Sequence, residues 1–396
     1  MSPTARELRS RWDLDPEVVF LNHGSFGACP RAVLAIQDEL RRRLEREPVR
    51  FFFRELPGLL TAARAEVAAF VGADPDDLVF VRNATEGANA VLRSLEFAAG
   101  DELLVTDHGY NACNNAARYV ASRTGARVVT AALPFPASGP EEVVAALLAA
   151  VTPRTRLAIV DHVTSPTGVV LPVATIVAAL QERGIDCLID GAHAPGMVPL
   201  DVSAIGAAYY TGNLHKWVCA PKGAAILHVR RDRQGPIHPA VISHGYNAPS
   251  PRSRLHAEFD WTGTSDPTPW LCVPAALREI GSLLPGGWPE VQARNHALAC
   301  AGREILAAAL GVDLPVPEDM IGSLASLPLP PGPEGQVIPP LSCDPLQDAL
   351  LLRHGIEVPI HPWPAAPQRL IRISAQLYNE VAHYEALARA LRAELG

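Results

Sequence analysis

From about residue 64 to 230, short apolar runs alternate with stretches whose apolar residues recur every three or four positions. Residues 77–85, DLVFVRNAT, read as a strand running into a polar loop, and 87–95, GANAVLRSL, as the helix that follows. The arrangement returns at 101–112 (DELLVTDHGYNA), 156–165 (RLAIVDHVTS) and 187–194 (CLIDGAHA). Residues 141–151 and 173–184 carry the helical period between strands, and 207–217 and 224–229 read as two closely spaced strands. Such alternation predicts an α/β fold, a mostly parallel sheet covered on both faces. Ligands in such sheets bind beyond the carboxyl ends of the strands. Those ends read RNATEG, TDHGYN, DHVTS, DGAH and GNLHK, which supply Thr, Asp, His, Tyr and Lys together.

The pattern changes after residue 230. Residues 231–270 are irregular and rich in Pro, His and Ser. From about 271 a helical stretch, a proline-rich loop (328–341, PLPPGPEGQVIPPL) and a closing helix suggest a smaller α+β domain. The expected division is an N-terminal arm at 1–20, a large domain at 21–265 and a small domain at 266–396.

Composition narrows the function. At 396 residues, 48% hydrophobic and 19% charged, the chain reads as a soluble globular protein. A net charge of −8, without a basic run, argues against nucleic acid as a partner. Seven scattered cysteines with no C-x-x-C pair fit a reduced, cytoplasmic protein and offer no metal framework. No stretch suits a signal peptide or a membrane span, so no membrane partner is expected. No strand is followed by G-x-G-x-x-G, which argues against a nicotinamide dehydrogenase.

Charge also singles out one segment. Of 34 basic residues only Lys216 and Lys222 are lysines, and both lie in TGNLHKWVCAPKGAA, 211–225. Arginine cannot supply a neutral amine, whereas lysine can lose its proton and form an imine with a carbonyl. If Lys216 binds a cofactor aldehyde such as pyridoxal 5′-phosphate, further groups are needed. Asp190 is the candidate carboxylate for the pyridine nitrogen. Ala84, Thr85 and Glu86, where a strand feeds a helix, are candidates for the phosphate. His108 and Tyr110 are both available to stack on the ring. A lysine aldolase without cofactor would leave Asp190 and the phosphate loop unexplained. A pyridoxal-binding regulator would need a DNA-binding domain, and 1–20 is too short for one.

DGAHAPG followed by TGNLHKW resembles the class V aminotransferase family, fold-type I enzymes that depend on pyridoxal phosphate. NATEGAN, HVTSPTG, GTSDPTP and RISAQLYN extend the resemblance along nearly the whole chain. FLNHGSFGACP, HVTSPTG and RISAQLYN are similar to the isopenicillin N epimerase-like branch, which the C–S lyases of ergothioneine synthesis also resemble.

The resemblance implies these roles. Lys216 is the Schiff-base lysine and proton shuttle, Asp190 pairs with the pyridine nitrogen, and His193 lies near the phenolic oxygen. Ala84, Thr85, Asn213 and His215 hold the phosphate, and Thr264 reaches in from the partner of a homodimer. Asn213 stands where the family usually has Ser, and Ser165 where many relatives have an Asn touching the phenolic oxygen. Arg372 clamps the α-carboxylate of an amino-acid substrate, with Asn22 and His23 on the substrate side. Lys222 is structural. Cysteine desulfurases of the family carry a nucleophilic Cys shortly before the arginine. Here 358–374 reads VPIHPWPAAPQRLIRIS, without a thiol. The expected chemistry is at the α-carbon, epimerase-like with His108 or Tyr110 as the second acid, or else C–S β-elimination or transamination.

Overall fold

The computed structural model describes residues 3–247, 249–335, 339 and 342–396. Twelve strands run β1 (Val19–Phe20), β2 (Leu78–Val81), β3 (Glu102–Thr106), β4 (Arg127–Ala131), β5 (Thr155–Asp161) and β6 (Asp186–Asp190), then β7 (Tyr209–Asn213), β8 (Ala225–Val229), β9 (Leu324–Leu329), β10 (Ile356–Glu357), β11 (Ile360–Pro362) and β12 (Arg369–Ser374). Seven of them form one sheet in the order β2-β8-β7-β6-β5-β3-β4, in which β8 alone runs against its neighbours.

The strands are apolar on both sides because both sides are covered. Leu78 and Phe80 of β2 join one core, and Val79 and Val81 join the other. Ala158 and Val160 against Leu157 and Ile159 repeat the split in β5. Alternate side chains of a strand face opposite ways, so a continuous apolar run serves two helical layers at once.

Each strand end leads into the next helix with a local reason to turn. Asn83 caps the helix Ala84–Ser94, its side chain accepting the Glu86 N–H at 2.9 Å. The turn Thr106–Gly109, closed by the Gly109 N–H on the Thr106 carbonyl at 3.1 Å, precedes the helix Asn111–Thr124.

The remaining strands form an antiparallel sheet, β11-β12-β9, and the parallel pair β1-β10. Helices Gly287–Leu310 and Val381–Leu395 accompany this part, with Tyr384 donating to the Ser374 carbonyl at 2.8 Å. The N-terminal residues belong here too. Leu8 and Trp12 share a small core with Ile280, Leu284, Leu377 and Tyr378. In the proline-rich stretch expected at 328–341, Pro328 and Leu329 finish β9, while 336–338, 340 and 341 lie outside the described residues. Within them no helix is long and apolar enough to cross a membrane.

Candidate active site

The carboxyl ends of β2, β5, β6 and β7, with Tyr110 after β3, meet at a cavity of about 360 Å³. Ser25 and Phe26 from the N-terminal segment close one side. Lys216 sits at its floor, in the loop between β7 and β8. Burial, with the Arg372 guanidinium adding to it, pushes the Lys216 amine down to about 7.

Hydrogen bonds around Lys216 agree with a neutral amine. Trp217 Nε1–H donates to His193 Nδ1 at 3.3 Å, and His193 Nε2 lies 3.0 Å from Lys216 Nζ. Burial holds His193 well below its usual range, so the ring is neutral. A neutral imidazole has one N–H, and with Nδ1 accepting it must be on Nε2. That N–H points at the lysine nitrogen, which can receive it only with its lone pair free.

Asp190 ends β6, buried, with Oδ1 accepting the Ala192 N–H and Oδ2 accepting Cys113 Sγ–H, both at 3.0 Å. Asp161 lies beside it in register at the end of β5 and lines the same cavity. Burial first, and then the Asp190 charge, push the Asp161 carboxyl well up. Asp161, though part of the strand end DHVTS, carries no role assigned from sequence, and neither does Cys113, which no local pattern distinguishes from an ordinary helix thiol.

The residues expected around the phosphate, Ala84, Thr85, Asn213 and His215, all line the cavity. Thr85, second in its helix, has an N–H that its own helix cannot satisfy. The Ala84 N–H is already taken by Asn213 Oδ1 at 2.9 Å, so Asn213 braces the helix start and Ala84 has no free donor. His215 donates from Nδ1 to the Ala224 carbonyl at 2.9 Å. Its ring is held down to about 4, chiefly by burial, and an adjacent phosphate dianion would raise it toward the doubly protonated, donating form.

Other expected residues are placed differently. His108 is buried outside the cavity, with Nδ1 2.8 Å from Thr167 Oγ1 and its ring edge-on to Trp363. Two positions on, Tyr110 lines the cavity. Asn22 and His23 do not line the cavity. Asn22 Nδ2 donates to Glu357 at 2.8 Å, and His23 bridges the Tyr378 hydroxyl at 2.7 Å and the Lys216 carbonyl at 3.0 Å. The residues of that motif that line the cavity are Ser25 and Phe26, two and three positions beyond His23. Thr264 lines a separate cavity of about 150 Å³ with Arg82 and Glu86, outside the Lys216 site of its own chain.

Arg372 on β12 is fully buried and stays charged, lowered by burial only to about 10. Nη1 donates to the Ser165 carbonyl and, at 3.2 Å, to Ser165 Oγ, while Nη2 donates to Ser25 Oγ at 3.1 Å. Ser165 Oγ therefore accepts from the arginine, and its own O–H remains available to donate into the cavity. Of five guanidinium N–H groups two remain, the Nε–H among them. Lys222 is tied elsewhere, Nζ donating to the Gly27 carbonyl at 2.8 Å.

Against this geometry, the profile of the family "Aminotransferase class-V" matches residues 30–330. The chain belongs to the class-V aminotransferase family. Members similar to it along the whole chain include an isopenicillin N epimerase of Streptomyces clavuligerus, 36% identical and covered over 98% of both chains. A putative L-cysteine desulfhydrase 2 of Oryza sativa subsp. japonica is 34% identical, over 95% of this chain and 84% of that one. Among solved structures, a lysine-to-alanine mutant of C-DES with glycine covalently linked to its pyridoxal phosphate shares the fold. It has a TM-score of 0.81 at 23% identity, covering 97% of this chain and 98% of that one.

As a class-V enzyme the protein uses pyridoxal phosphate, and the site fits that cofactor. A buried amine without its proton suits the aldehyde, a buried carboxylate suits the pyridine nitrogen, and a capped helix start suits the phosphate. When bound, the cofactor supplies an electron sink for a negative charge developing at the substrate α-carbon. Lys216 is the residue that would hold it covalently, with Asp190 and Thr85 at its two ends.

Proposed function

We propose that the protein acts at the α-carbon of an amino acid, removing the α-proton and returning one to the opposite face, as an epimerase does. The observation that carries this reading is the pairing, in one cavity, of Tyr110 with a Lys216 amine that burial brings down to about 7. Burial raises the Tyr110 phenol, with Cys113 and Asp190 adding to it, so at neutral pH it keeps its proton. Lys216 Nζ is the base, with His193 Nε2–H holding the amine in place until its lone pair turns to the substrate. Tyr110 O–H is the acid that returns a proton. Arg372 holds the α-carboxylate through its two unoccupied N–H groups, while Ser25 and Ser165 fix the guanidinium plane. The full-length similarity to isopenicillin N epimerases points the same way.

A second reading, β-elimination, is favoured by the 34% identity to an L-cysteine desulfhydrase. In that case the Tyr110 proton goes to the leaving group instead of the α-carbon. A thiol-relay desulfurase has no support, because six cysteines are buried and the exposed one, Cys343, lies outside the cavity. We further propose a homodimer in which Thr264 completes the phosphate site of the partner. Light scattering that shows a monomer retaining cofactor refutes that assembly.

The test of activity is incubation with single amino acids in deuterated water, followed by mass spectrometry and chiral chromatography. Deuterium at the α-carbon with both enantiomers present supports epimerisation. Release of pyruvate with ammonia and a sulfur product moves the protein to β-elimination.

A further inference from the structure

Three buried polar atoms without partners lie on the β11–β12 hairpin beside the site, and His108 Nε2 behind them is a fourth. Arg372 Nε, His361 Nε2 and Trp363 Nε1 are all shielded from solvent and make no hydrogen bond among the described residues. Strand register brings them to one face. His361 of β11 lies opposite Leu370 of β12, so its side chain points the same way as those of Leu370 and Arg372. The hairpin continues through the Trp363 N–H, which donates to the Gln368 carbonyl at 3.0 Å, and Trp363 follows His361 on that face. Behind Trp363 stand His108, with ring centres 4.9 Å apart, and Phe135 at 5.0 Å. Arg372 fixes the location, since its other nitrogens hold Ser25 and Ser165, and both of these line the cavity.

Buried donors in folded proteins are nearly always paired, and several unpaired ones in a single corner point to a ligand that completes them. The Trp363 nitrogen can only donate. Burial holds His361 down to about 3, with Arg372 adding to the effect, so its ring is neutral. Once the α-carboxylate has neutralised Arg372, the corner therefore offers the Trp363 donor, an uncharged imidazole nitrogen and an aromatic wall, with no second positive charge.

We propose that the β11–β12 hairpin is the substrate side-chain subsite, in which Trp363 and His361 bind an uncharged acceptor such as a carboxamide oxygen. This deepens the α-carbon reading above and rests on it. The favoured substrates are amino acids with an amide-type carbonyl in the side chain. A second carboxylate finds no countercharge there, and a hydrocarbon chain leaves the Trp363 donor and the His361 nitrogen unpaired.

The experiment uses the holoenzyme and four probes: glycine, L-norleucine, L-glutamine and L-glutamate. Binding is read from the change in the visible spectrum of the bound cofactor. Glutamine is expected to bind about 10-fold tighter than norleucine or glutamate, the scale of one hydrogen bond to a donor otherwise left unpaired. Trp363→Phe and His361→Ala should each bring glutamine within about 2-fold of norleucine while leaving the glycine constant in place. Equal binding of glutamine and norleucine, tighter binding of glutamate, or a preference that survives both substitutions overturns the subsite. Glycine keeps the two readings apart. If glycine leaves the spectrum of the wild-type holoenzyme unchanged, the amino-acid reading fails; if glycine binds without side-chain preference, only the subsite fails. A Trp363→Phe protein that lost glycine binding would be misfolded, and His361→Ala then decides.

Discussion

Replacing Gly27 by Ala tests how the lysine loop is held. Gly27 has φ +69° and ψ 160°, a conformation essentially confined to glycine, which costs another residue about 1–3 kcal/mol. A Cβ placed there would lie 2.2 Å from the His215 carbonyl oxygen and 2.9 Å from that of Lys216. Restoring ordinary contact requires the two segments to part by about 1 Å, the scale at which a misplaced reacting group loses ~100-fold in rate. Parting them also breaks the bond from Lys222 Nζ to the Gly27 carbonyl, a bond to a charged group that contributes about 1.5–3 kcal/mol. Together these come to about 2.5–6 kcal/mol. At roughly 0.8 kcal/mol per degree for a chain of this length, Tm should fall by about 3–7 °C. The assay is circular dichroism of holoenzyme at a fixed scan rate, paired with α-deuterium exchange. A Gly27→Ala protein with Tm within a degree of wild type and unchanged exchange would refute this account of the loop.

Lys216→Ala should abolish the covalent bond to the cofactor and its visible absorption, whereas Lys222→Ala should keep the absorption and lower Tm by about 2–4 °C. The reverse result sinks the assignment of the two lysines. Arg372→Lys loses the planar fork that bonds Ser165 and Ser25 as well as the carboxylate, and kcat/KM should fall at least ~30-fold, about 2 kcal/mol. With the Lys216 amine at about 7, capture of pyridoxal phosphate by the cofactor-free protein should rise ~10-fold per pH unit below 7 and level off above it. The sign for stability follows: between about 7 and 10.5 the unfolded chain binds the proton that the folded one has lost, so cofactor-free stability rises across that window. Capture that keeps rising to pH 10 would mean an ordinary lysine.

The large sheet was legible because each strand is an unbroken apolar run with a polar end, and its reactive side chains fall where strands stop. Lys216, Asp190, His193, Thr85 and Tyr110 were readable for that reason, and the structure gathers them in one cavity. What sequence could not decide was which neighbour of a turn faces inward. His108 and Tyr110 are two apart in one loop, and only the packing of His108 against Trp363 and Thr167 turns it away. The same holds for FLNHGSFG, where chemistry drew attention to Asn22 and His23 although Ser25 and Phe26 face the cavity. Cys113 and Asp161 act through neighbours on other elements, so neither has a signature of its own. Nor could Asn213 be seen to spend its oxygen on the Ala84 N–H.

The clamp on the lysine loop has a consequence for how the enzyme is made. Asn22 meets Glu357 across 335 residues, His23 meets Tyr378 across 355, and His23 in turn grips the carbonyl of Lys216. A growing chain can assemble the seven-stranded sheet, lysine included, well before residues 357–378 have been made. Until then the segment that fixes the lysine is held from one side only, through Lys222 on the Gly27 carbonyl and His23 on that of Lys216. The clamp is therefore completed late, when the two remote parts of the chain are joined, and an unfinished polypeptide carries the reactive amine on a loop fastened at only one side.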